Sequence, residues 1–145
     1  MLNDLYQEII IDHSRRPRNF RRMDDATRTV EGYNPLCGDK LALYLKVEDD
    51  IVRDISFVGA GCAISTASAS LMTESVKGKT RAEAQAMMQR FHELLTADQQ
   101  AGGDFGKLAV FSGVREFPAR VKCATLAWHT LKSGLEGKQE VVSTE

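Results

Sequence analysis

Two segments of strict period-two alternation flank a short polar link, and no other feature of the chain limits its fold as much. In residues 41–47, Leu41, Leu43, Leu45 and Val47 share one side, and Ala42, Tyr44 and Lys46 share the other. In residues 51–58, Ile51, Ile55 and Phe57 fall on one face. Glu48-Asp49-Asp50 between them reads as a polar turn, so the two segments are expected to close as an antiparallel hairpin. Residues 27–33 are a candidate third strand. Helical spacing takes over on both sides of this region. Leu2, Leu5, Tyr6, Ile9 and Ile10 mark a helix over residues 2–13, and an Ala/Ser-rich helix is expected over 63–77. Thr80 with Glu83 three residues on forms a capping box for a helix reaching Leu95, and a last helix is expected over 120–135. These elements predict an α+β fold, a small antiparallel sheet of about three strands with helices packed against it.

With 145 residues, one domain is expected over 1–136, followed by a polar tail over 137–145. The net charge of −1 argues against a chain built to bind nucleic acid. The arginine stretch 15–22 holds a single interleaved aromatic, Phe20, and reads as a solvated loop, with docking to an acidic partner surface as the sharper alternative. No apolar run approaches the roughly 20 residues of a membrane span, and the N-terminus lacks the features of a signal peptide. A cytoplasmic location is therefore expected. Three cysteines cannot all pair, so packing, metal binding and nucleophilic chemistry are their candidate roles.

The three thiols stand in unusual contexts. Cys37 lies in Asn34-Pro35-Leu36-Cys37-Gly38-Asp39, a turn sequence with a carboxylate two residues on. Cys62 follows Gly59-Ala60-Gly61 and opens the small-residue helix, where unpaired amides favour a thiolate. Cys123 follows Pro118-Ala119-Arg120-Val121-Lys122 and begins an apolar helical pattern. Asp39 beside Cys37 disfavours an isolated thiolate by like-charge repulsion, but makes sense if a cation lies between them. Zn²⁺ accepts both donor types and takes four ligands in structural sites. Cys37, Asp39, Cys62 and Cys123 supply four. With no CxxC pair, the spacing leaves two readings open, one composite metal or cluster site or three unrelated thiols.

The chain also resembles the SufU branch of the IscU-like family of iron–sulfur cluster assembly proteins. The resemblance is carried by Leu5-Tyr6, Asp12-His13 and Pro17-Arg18-Asn19, then by the Cys37 segment and Gly59-x-Gly61-Cys62-Ala63-Ile64-Ser65. Gly113-Val114 and Phe117-Pro118-x-Arg120-Val121-Lys122-Cys123-Ala124 complete it. It implies a zinc site of Cys37, Asp39, Cys62 and Cys123, and a SufS-type, pyridoxal-phosphate-dependent cysteine desulfurase as partner. IscU-type scaffolds have histidine immediately before the third cysteine, where this chain has Lys122. The segment around 100–116 is also longer than in those scaffolds. Both differences favour the SufU branch.

The expected function is zinc-dependent sulfur transfer. Cys37 takes a persulfide sulfur from the desulfurase and passes it to a downstream iron–sulfur scaffold, with Arg120 and Lys122 in support. A 2Fe–2S cluster assembled on the same residues is the first alternative. A structural zinc domain that binds a partner is the second. His13, His92 and His129 read as packed or surface imidazoles, and the methionines of the third helix as core.

Overall fold

The computed structural model describes residues 2–35, 38–96, 110–111, 114, 117–137 and 142–143. In chain order the elements are α1 (Leu2–Arg15), β1 (Arg28–Asn34), β2 (Asp39–Glu48), β3 (Ile51–Ala60), α2 (Ala63–Val76), α3 (Arg81–Thr96), α4 (Pro118–Leu135) and β4 (Val142–Ser143). The sheet order is β3-β2-β1-β4. Strands β1, β2 and β3 form an antiparallel meander, and β4 lies parallel to β1 with Val142 opposite Gly32. The expected α+β architecture is present, with three antiparallel strands and four helices among the described residues. The β4 rung is an addition that the polar composition of the tail does not announce.

Glu48 pairs with Ile51, leaving Asp49 and Asp50 as a two-residue turn, both at positive φ (54° and 62°). Two successive left-handed residues match the twist of the flanking strands, and aspartate tolerates that conformation. Alternation along β2 turns Asp39, Leu41, Leu43 and Leu45 to the buried side. Val30, Ile55 and Phe57 join the leucines in the core.

Helix α4 lies over this inner face. It begins at Pro118, two residues earlier than its apolar pattern suggests, because proline suits the first helical position. Contact with β1 is close. A Cβ on Gly32 would stand 2.2 Å from Thr130 Oγ1 and 3.2 Å from Leu126 Cδ1. Arg28 of β1 donates to the carbonyls of Gly134 and Leu135 at 2.8 and 2.9 Å, satisfying acceptors left open at the end of α4. On its other side, α4 meets α2 and α3. Ser68 Oγ donates to the Ala124 carbonyl, and Trp128 Nε1 donates to Ser68 Oγ at 3.2 Å. Phe91 of α3 stacks on Trp128 with ring centroids 4.7 Å apart. Covered on two sides, α4 is built largely of small and apolar residues.

The remaining helices are fixed locally. Thr80 and Glu83 exchange the reciprocal bonds of a capping box at the start of α3, at 3.0 and 3.1 Å. His13 is buried between α1 and α2, its Nδ1 2.7 Å from Ser70 Oγ. The outer edge of β3 is occupied at Val52 and at Phe57. Phe57 bonds to Asn19 and Arg21 through its backbone, and Val52 to Lys79 and Gly78. Between them the Ile55 N–H donates to Asp54 Oδ1 at 2.9 Å.

The Gly32–Thr130 approach gives a direct test. Gly32→Ala is expected to lower stability by about 1–3 kcal/mol, through overpacking of the β1–α4 contact. Adding Thr130→Ala should restore part of that loss. Urea unfolding of the two single variants and the double variant measures both terms, and fully additive losses would count against the contact.

Candidate metal centre

The inward row of β2 ends in a carboxylate. Asp39 occupies the position that continues Leu41, Leu43 and Leu45 towards the end of the sheet, and it is fully buried. Directly across the β1–β2 ladder is Asn34, which ends the inward row of β1 and is also fully buried. Asn34 Nδ2 donates to Asp39 Oδ2 at 3.3 Å and lies 3.6 Å from Cys123 Sγ.

The β3–α2 junction adds the next group. Cys62 is the N-cap of α2, with φ −70° and ψ 168°. Its own N–H donates to Asp39 Oδ1 at 2.9 Å, and its sulfur accepts from the Ser65 N–H at 3.4 Å. The chain can pass this close to the carboxylate because residue 61 is glycine. A Cβ there would stand 2.6 Å from Asp39 Oδ1. Cys123 comes from α4. It lies inside the helix rather than at its beginning, with 2% of its surface exposed.

Asp39, Cys62 and Cys123 thus offer one oxygen and two sulfurs, all within 4.8 Å of one another. Among the described residues no Lys, Arg or His side chain pairs with Asp39; the amides of Asn34 and Cys62 donate to it, and the Cys62 sulfur lies 4.0 Å from Oδ2. A buried carboxylate without a cation is costly, and a metal ion among these three residues would offset that cost. Thiolate and carboxylate together suit a divalent ion of borderline softness. Cys62 is exposed while Asp39 and Cys123 are buried, so the group opens to solvent on the α2 side.

Three of the four ligands expected from the sequence therefore converge, while Cys37 lies outside the described residues. Arg120 and Lys122 are exposed and form no ion pair among the described residues. The Arg120 guanidinium stands 5.0 Å from the ring centre of Phe117, itself half exposed. Asn34 was not expected as a site residue. Its signal was there, as a polar side chain on the inward period of a strand, two residues from Gly32.

A family model described as the NifU-like N-terminal domain matches residues 5–136. The iron–sulfur cluster assembly scaffold protein IscU of Streptococcus pyogenes is 41% identical over 136 residues, covering 93% of this chain and 85% of that protein. The zinc-dependent sulfurtransferase SufU of Bacillus subtilis is 42% identical over 135 residues, covering 92% of this chain and 91% of that protein. A crystal structure assigned to a SUF-system iron–sulfur cluster assembly scaffold from Fervidobacterium islandicum superposes with a TM-score of 0.84 at 35% identity. It covers 92% of this chain and 98% of the other.

The supporting groups should matter as much as the donors. Gly61→Ala pushes on the Asp39 carboxylate, and Asn34→Ala removes its side-chain donor. Each is expected to weaken Co²⁺ binding about 10–100-fold, the usual effect of losing an outer-shell partner. Thiolate-to-cobalt absorbance during titration reads this directly, and unchanged affinity in both variants would exclude the arrangement as a metal centre.

Proposed function

We propose, for a chain that belongs to the NifU-like N-terminal domain family of iron–sulfur cluster assembly proteins, that it accepts sulfur from a SufS-type, pyridoxal-phosphate-dependent cysteine desulfurase and carries it as a persulfide. The observation that carries this reading is the convergence of Asp39, Cys62 and Cys123. With Cys37 as the fourth donor, the set suits zinc. Bound zinc would keep the thiols deprotonated and, being redox-inert, would leave the oxidation state of sulfur unchanged.

Cys37 is the proposed acceptor, on the strength of its Pro35-x-Cys37-Gly38 context. Its thiolate attacks the outer sulfur of the partner's cysteine persulfide. A new S–S bond forms on Cys37, the partner's S–S bond breaks, and the partner's cysteine leaves as a thiolate. No net oxidation occurs, so no further reagent is required. Asp39, Cys62 and Cys123 hold the centre during the exchange, and the burial of Asp39 and Cys123 favours that division of labour. Arg120 and Lys122, exposed beside Cys123, supply positive charge for the anionic persulfide. The sulfur then passes to a downstream iron–sulfur scaffold. Such chemistry needs reduced thiols, in keeping with a cytoplasmic setting.

A second reading, assembly of a 2Fe–2S cluster on the same thiolates, is supported by the similarity to the Streptococcus scaffold protein. Lys122 favours sulfur transfer. The residue beside Cys123 is an exposed ammonium group, which has no lone pair for iron while protonated.

Incubation with the desulfurase and cysteine, followed by peptide mass spectrometry, should find one added sulfur on Cys37. Cys37→Ser should abolish both that adduct and the stimulation of desulfurase turnover, and the purified wild-type protein should contain stoichiometric zinc. Full stimulation by Cys37→Ser would remove Cys37 from the role. Delivery of an intact reconstituted cluster to an apo-acceptor, without sulfur transfer, would favour the scaffold.

A further inference from the structure

Helix α4 has a second face that the metal centre does not use. Between residues 119 and 135 its exposed side chains are Ala119, Arg120, Lys122, His129 and Lys132. At 3.6 residues per turn, Lys122, His129 and Lys132 fall on one stripe. That stripe runs beside the inward face, where Leu126 and Thr130 meet β1, and Lys132 is turned farthest from it.

Opposite the lower part of the stripe runs α3, and a groove of about 390 Å³ lies between the two helices. His129 and Lys132 from α4 and His92 from α3 give it three nitrogen bases, and Gln85 and Gln89 add amides. Met88 and the edge of the Phe91–Trp128 stack provide an apolar surface. No carboxylate is among the described residues that line it. The volume lies in the range of small-molecule sites, and the mixture of an apolar surface with a few convergent polar groups is their usual chemistry.

We propose that this groove binds a small organic anion, with its anionic head among His92, His129 and Lys132 and its apolar body against Met88 and Trp128. His129 keeps an exposed edge, but partial desolvation of its ring against the groove, and then the neighbouring His92 and Lys132, lower its pKa from the ordinary imidazole value. An anion in the groove offsets all three effects, so binding should draw a proton onto His129 and tighten as the pH falls. Among the described residues the charged or titratable groups acting on His129 are His92 across the groove and Lys132 on its own helix. Both are basic, and they act in the same direction.

Trp128 is the chain's only tryptophan, so its fluorescence reports on the groove without a label. The probe is benzenesulfonate, whose charge is constant across the pH range used. Benzyl alcohol serves as its neutral counterpart, and inorganic sulfate as the head without the body. Benzenesulfonate should change the emission saturably, with affinity rising about three- to tenfold between pH 8 and pH 5.5. His129→Gln should remove most of that pH dependence. His129→Gln and Lys132→Gln should each weaken binding by at least about fivefold, while circular dichroism and Co²⁺ affinity stay unchanged. No saturable change, equal affinity in both variants, or equal response to sulfate or benzyl alcohol would overturn the proposal. None of these readouts involves the desulfurase, so the result is independent of the sulfur-transfer reading.

Discussion

A single hydrogen bond, from the Cys62 N–H to Asp39, ties the end of the sheet to the start of helix α2. Everything near the centre is arranged around it. Asp39 is buried because it continues a leucine row, and it stays buried because amides from two other segments reach it. Gly61 lets the backbone come close enough. The same contact sets the direction in which α2 leaves the sheet, and so the position of the α2 surface on which α4 packs. Chemistry and packing are not separable here. The group that organises the cysteines also joins two layers of the fold.

Much of this was legible in the chain. The β2–β3 hairpin follows from period-two alternation, and the capping box at Thr80 and Glu83 from a four-residue pattern. The position of Cys62 follows from the glycines before it and the small residues after it. Each of these depends on neighbours in sequence. What the residues did not reveal depends on distant ones. The meeting of Cys123 with Asp39 and Cys62 arises only when α4 packs over the sheet and against α2. The role of Asn34 becomes visible only when the β1–β2 register sets it opposite Asp39. Pairing of Val142 with Gly32 is likewise long-range, and nothing in the polar tail prepares for it.

Helix α4 shows how one element serves several demands. Its inward residues Leu126 and Thr130 fit against β1 because residue 32 is glycine. Its outward stripe carries Lys122 and Lys132, two of its three formal charges, with Arg120 the third. Cys123 lies on the buried side, so solvent reaches the candidate centre from Cys62 rather than through the helix. Ser68 binds both the Ala124 carbonyl and the Trp128 indole, which fixes the rotation of α4 about its axis and with it the direction of Cys123.

The blocked edge of β3 also decides how this molecule meets others. Asn19, Arg21, Gly78 and Lys79 already occupy the backbone groups of Phe57 and Val52, and Asp54 covers the amide of Ile55. An incoming strand finds these backbone groups already bonded, so sheet extension is hindered over the stretch from Val52 to Phe57. Recognition on that flank falls to side chains. The exposed thiol of Cys62 lies beyond this flank, at the end of the sheet, and is open along the strand axes without competition for the ladder.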